Sequence, residues 1–105
     1  MLKLTFIKTD TFATMQHYRV LLNDQAFIEG MLLANDHAIS PEHPTLFVDN
    51  PNSYLYDLAV GKWLSRHCAK QELTFREQRH LTELAKELLF TNSPEEVLNL
   101  LRLLQ

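Results

Sequence analysis

His67 and Cys68 stand side by side with His80 further along, and a thiol among imidazoles is the combination that activates a cysteine nucleophile or holds a divalent metal. The spacing argues against both. Adjacent residues on a helix point about 100° apart and do not readily share one ion, and His80 falls on the next helix. Cys68, late in an amphipathic helix, reads instead as a small packed residue. His37 and His43 flank Pro41 beside Asp36 and Glu42, a loop cluster with nitrogen and oxygen donors for a divalent ion. It lacks the i, i+4 or C-x-x-C pairing of a structural zinc site. Solvated or capping histidines, with no metal, are the expectation.

Other routes to catalysis have as little support. Ser40, Ser53, Ser65 and Ser93 lack a nucleophile-elbow context, and Ser53 and Ser93 sit where helices begin. The carboxylate pair Glu95-Glu96 belongs to a first helical turn, where capping and the helix dipole account for it. A phosphate-cradling loop needs clustered glycines, and the only two, Gly30 and Gly61, are far apart. No catalytic residue, no cofactor and no enzyme activity are therefore expected.

Charge gives a sharper signal. The chain of 105 residues carries a formal net charge of −3, so any attraction to nucleic acid has to come from a local patch. Lys62, Arg66 and Lys70 recur at i, i+4 and i+8 and form one basic stripe, which Arg76 and Arg79 could extend. Such a face suits an acidic protein partner or phosphates. A solvated helix end whose cations complement the dipole explains it more simply.

The elements that position these residues follow from periodicity. Leu2, Leu4 and Phe6 alternate with polar residues as in a strand, and Lys8-Thr9-Asp10 has the length of a hairpin loop. Residues 11–22 are ambiguous between strand and helix. The β-prone types Thr11, Phe12, Thr14, Tyr18 and Val20 favour a strand. Asn23 looks like an N-cap, and 24–35 puts Phe27, Met31 and Ala34 on one helical face. Pro41 and Pro44 break the chain before Thr45-Leu46-Phe47-Val48, a short buried strand. Asn50 as N-cap and Pro51 at the first helical position open a long helix to about Ala69, with Tyr54, Leu55, Leu58, Ala59 and Trp63 on its apolar side. Gly30 and Gly61 both fall inside helices on this reading, which close approach of another backbone would explain.

Two helix-start signatures close the chain. Thr74-x-x-Glu77 and Ser93-x-x-Glu96 are capping boxes that bracket a helical hairpin. The first helix carries one stripe, Phe75, Leu81, Leu84, Ala85, Leu88 and Leu89. The second has adjacent leucines around more than half of its circumference. A terminal helix packed on one face cannot hide them all, so Val97, Leu100, Leu101 and Leu104 are the expected homodimer interface.

The sequence thus predicts a single α+β domain over 1–105, with an N-terminal hairpin, a short third strand and about four helices; the alternative is mostly α. The expected function is a non-enzymatic protein-interaction module, an adaptor, inhibitor or assembly factor, with homodimerisation expected. A nucleic-acid-associated regulator using Lys62, Arg66, Lys70, Arg76 and Arg79 is the second expectation. A small enzyme or metal-binding protein built on His67, Cys68 and His80, or on His37 and His43, is the third. No secretory signal or membrane-spanning stretch is read, and a soluble cytoplasmic protein is expected.

Overall fold

The protein, described from a computed structural model over residues 1–12, 14–37, 39–67 and 73–103, is α+β. It forms two compact units, Met1–Asp49 and Asn50–Gln105.

The first unit is a four-stranded antiparallel sheet in the order β3-β2-β1-β4, with β1 Leu2–Phe12, β2 Met15–Leu22, β3 Gln25–Ala34 and β4 Thr45–Val48. Antiparallel neighbours share a face residue for residue, so Leu4 opposite Leu22 and Phe6 opposite Val20 build one buried side. The other side carries Lys3, Thr5 and the exposed Ile7.

Most of 24–35, expected as a helix, forms β3 instead. Asn23 and Asp24 both hold positive φ, 49° and 67°, and join Leu22 directly to its partner Gln25. This is a two-residue hairpin turn, in which Asn and Asp tolerate left-handed backbone better than most side chains. Lys3 secures it, donating its backbone N–H to Asn23 Oδ1 at 2.9 Å and its ammonium to Asp24 at 2.7 Å.

Two bulges in β3 explain why its pattern imitates a helix. The ladder steps from Tyr18–Met31 to Arg19–Glu29, leaving Gly30 over with φ 79°, and from Val20–Ile28 to Leu21–Ala26, leaving Phe27 over. Each extra residue interrupts the two-residue alternation. Gly30 therefore supplies a bulge conformation rather than a close helix contact. Lys8-Thr9-Asp10 is likewise not a loop: β1 continues to Phe12, with Thr9 as the extra residue between Lys8 and Asp10. Thr11 and Phe12 end β1 and Met15–Leu22 form β2, which removes the mostly α alternative. After a 3-10 turn, Asn35–His37, the Tyr18 hydroxyl accepts the Ile39 N–H at 3.0 Å and holds the following loop.

Among the described residues, the second unit contains three helices, α1 Tyr54–His67, α2 Phe75–Leu88 and α3 Pro94–Leu103. Four were expected; the difference is the segment now in β3. The long helix starts three residues later than Pro51, because Asn50 Oδ1 accepts the Asn52 N–H in a local turn at 2.9 Å. Ser53 then receives the first helical N–H, that of Asp57, on its carbonyl at 2.9 Å. Thr74 and Ser93 both cap their helices, with the full reciprocal box at Thr74, whereas at Ser93 the Glu96 carboxylate accepts the Ser93 hydroxyl at 3.0 Å. Thr74 Oγ1 accepts the Glu77 N–H at 3.1 Å while Glu77 accepts the Thr74 N–H at 3.2 Å, and Ser93 Oγ accepts the Glu96 N–H at 3.3 Å.

Tyr56, Ala59, Val60, Trp63 and Leu64 are the buried side of α1, Leu81 and Ala85 belong to that of α2, and Val97 and Leu101 to that of α3. Tyr56 meets Phe90 edge-on at 5.8 Å between ring centroids, and its hydroxyl donates to the Lys86 carbonyl at 2.6 Å. Burial pushes that phenol well above its ordinary value.

Candidate docking groove

A groove of about 220 Å³ opens between α1 and α2, lined by Leu58, Gly61, Lys62 and Ser65 on one wall and Phe75, Gln78, Arg79 and Thr82 on the other. The α1 residues recur at helical spacing, as do those of α2, so each wall is about two turns of one helix face.

An ionic cluster fixes the two walls together. Asp57 of α1 receives both guanidinium nitrogens of Arg79 and the ammonium of Lys86, at 3.1, 2.6 and 2.7 Å. Arg79 also bonds Glu83, and Lys86 reaches the same carboxylate at 3.0 Å. The Lys86 side chain is only 4% exposed. A buried ammonium is tolerated when carboxylates meet it directly. Burial pulls its pKa down, and the bonds to Asp57 and Glu83 more than offset this, leaving it raised. The Arg79 hydrogen bond, aided by Lys86, holds Asp57 below its ordinary value, and the Lys86 bond does the same for Glu83. Arg79 rises in return.

Two hydroxyls that would roughen the groove are turned back onto their own helices. Ser65 donates to the Gly61 carbonyl at 2.9 Å and Thr82 to that of Gln78 at 2.8 Å. Gly61 itself is open: a Cβ placed there would meet nothing within 4 Å. Among the described residues, no backbone makes the close approach expected at this glycine. The Gln78 Nε2 is buried without a hydrogen-bond partner. Phe75, expected to belong to the buried stripe of α2, is 86% exposed at the groove's end.

The expected site residues divide as follows. Lys62, Arg66 and Arg76 are exposed, and Lys62 stands on the groove wall. Arg79 is committed to carboxylates on both helices. Lys70 lies outside the described residues. On α3, Val97 and Leu101 are buried in the single chain, Leu100 is half-exposed and Leu103 is 82% exposed. Leu104 lies outside the described residues.

Cys68 does too, so its relation to His67 and His80 is not described. His67 turns its ring towards Trp63, at 5.6 Å between centroids, and His80 is exposed. Among the described residues, no three His, Cys, Asp or Glu side chains gather as metal ligands. None of their helices is long and apolar enough to cross a membrane.

No known protein family, curated protein or solved structure matches the chain. The residues of the groove are therefore read on their own chemistry. Sequence reasoning missed Asp57, Gln78 and Lys86. Lys86 offered one signal, its place among Leu81, Ala85 and Leu89 on the buried side of the helix.

Proposed function

We propose that this chain is a non-enzymatic protein-interaction module that holds a partner along α1 and α2. The observation that carries this reading is Phe75, 86% exposed at the end of the groove. A large aromatic ring in water is unfavourable, and rings placed beside a concave surface are frequent anchors for partners. Lys62 on the wall, with Arg66 one turn further on α1 and Arg76 next to Phe75, supplies a cationic margin. A homodimer through the exposed leucines of α3 is compatible with this role and is tested separately.

The nucleic-acid reading loses one cation, because Arg79 is occupied by Asp57 and Glu83.

Affinity capture from the native source, with wild type and Phe75→Glu compared by mass spectrometry, tests the proposal. Glutamate suits the first turn of a helix, so the variant should remain folded. A protein retained by wild type and lost from the variant is the expected result. Identical capture profiles would reject the reading.

A further inference from the structure

Gly61 has no structural need to be glycine. It lies inside α1 without positive φ, and a Cβ there would meet nothing within 4 Å. Glycine in a helix interior costs about 1 kcal/mol relative to alanine, and among the described residues no close contact at Gly61 offsets that cost. What the missing side chain provides is depth, at the middle of the α1 wall.

The rest of the groove has the same character. Ser65 and Thr82 hide their hydroxyl hydrogens on their own helices, leaving low, hydrogen-bonded walls. The walls repeat at helical spacing over about two turns, roughly 10 Å. An element with the same repeat fits them, whereas a small polar molecule would find most hydrogen-bonding groups already engaged. The Gln78 amide nitrogen is the exception, buried without an acceptor.

The charges select among helices. Among the described residues, the carboxylates near the groove are engaged: Asp57 and Glu83 by Arg79 and Lys86, and Glu77 in the capping box of α2. Lys62, on the α1 wall, is exposed to solvent. A docked element with carboxylates along that flank is complementary, and one with lysines is repelled.

Resting on the interaction reading above, we propose that this groove receives an amphipathic helix of a partner protein, with a small residue crossing α1 at Gly61 and an acidic flank beside Lys62. Phe75 would close over the helix's apolar face, the usual helix-in-groove arrangement. An acceptor oxygen on the docked helix would meet the Gln78 amide after rotation of that side chain.

A phage-displayed library of amphipathic helical peptides, selected on the full chain, tests this. Enriched peptides should carry Ala, Gly or Ser within the apolar face and Asp or Glu on one flank. Their affinity should fall at least tenfold with Gly61→Leu and with Lys62→Glu. Leucine is a better helix former than glycine and enters open space, so Gly61→Leu should retain its circular dichroism spectrum. No enrichment, enrichment of basic peptides, or indifference to Gly61→Leu would overturn the proposal. So would self-association of the wild type that Gly61→Leu abolishes, because a second copy would then be the occupant. Oligonucleotide binding lost with Lys62→Glu but kept with Gly61→Leu would overturn it as well. If native capture depends on Phe75 while Gly61→Leu captures the same protein equally well, the interaction module stands and the docked helix falls.

Discussion

Lys86 shows how far a side chain's role can lie from its type. Lysine is ordinarily exposed, yet this ammonium is buried between two carboxylates on different helices, with Asp57 shared by Arg79. The geometry makes Asp57 the hinge of the cluster, since its loss leaves Lys86 with only the half-exposed Glu83. Asp57→Asn should lower the unfolding free energy by about 2 kcal/mol, between the value of an exposed pair and that of a fully buried one; urea melts at neutral pH would measure it. The pH dependence has a definite sign. Folded Asp57 titrates below its ordinary value of 3.8, so its contribution is complete above that value and is lost as pH falls through the depressed one. Lys86, raised from 10.5, contributes fully below that value and loses its contribution as pH rises through the folded one. Wild type should therefore lose more stability than Asp57→Asn on acidification below about pH 4. Parallel stability curves for the two proteins in that range would remove Asp57 from the account.

The elements show which signals survive without tertiary information. Capping boxes are local: Thr74 and Glu77 satisfy each other's backbone over one turn, so their positions could be read directly. Thr74→Ala should cost about 1 kcal/mol in chemical denaturation. Leu2, Leu4 and Phe6 were equally legible because β1 alternates regularly there. β3 was not, since Gly30 and Phe27 are extra residues that shift its register and put Phe27, Ile28 and Met31 at helix-like intervals on the buried side. Its turn used Asn23-Asp24 in place of a glycine, which disguised the hairpin as a helix cap. The groove was less legible still, because the pairing of Asp57 with Lys86 depends on how α1 meets α2. The two glycines make the contrast measurable. Gly30→Ala forces a side chain into positive φ and should destabilise by about 1 to 2 kcal/mol. Gly61→Ala enters open space within a helix and should stabilise by about 0.5 to 1 kcal/mol. Denaturant midpoints shifting in the same direction for both would contradict the assignments.

At the scale of the whole molecule, the question is which apolar surface remains after each unit has built its core. The terminal helix suggested a broad dimer interface from its leucines alone, but Val97 and Leu101 are buried within one chain. Among the described residues, what α3 can offer a second copy is Leu100 and Leu103. Two side chains supply far less than the roughly 800 Å² per partner of a standard stable interface, so α3 by itself favours a weak, concentration-dependent dimer. Light scattering during gel filtration should give the monomer mass of 12.3 kDa at low micromolar concentration and a rise towards twice that mass at several hundred micromolar. Leu103→Glu should hold the mass at monomer throughout without changing stability, because that side chain already faces water. Val97→Glu is a different experiment: it places a carboxylate in a closed site and should unfold the helix rather than dissociate a dimer. A wild-type mass constant at 12.3 kDa across the whole range would remove the homodimer. The groove between α1 and α2 would then be the better-supported docking surface, since its case does not rest on the leucines of α3.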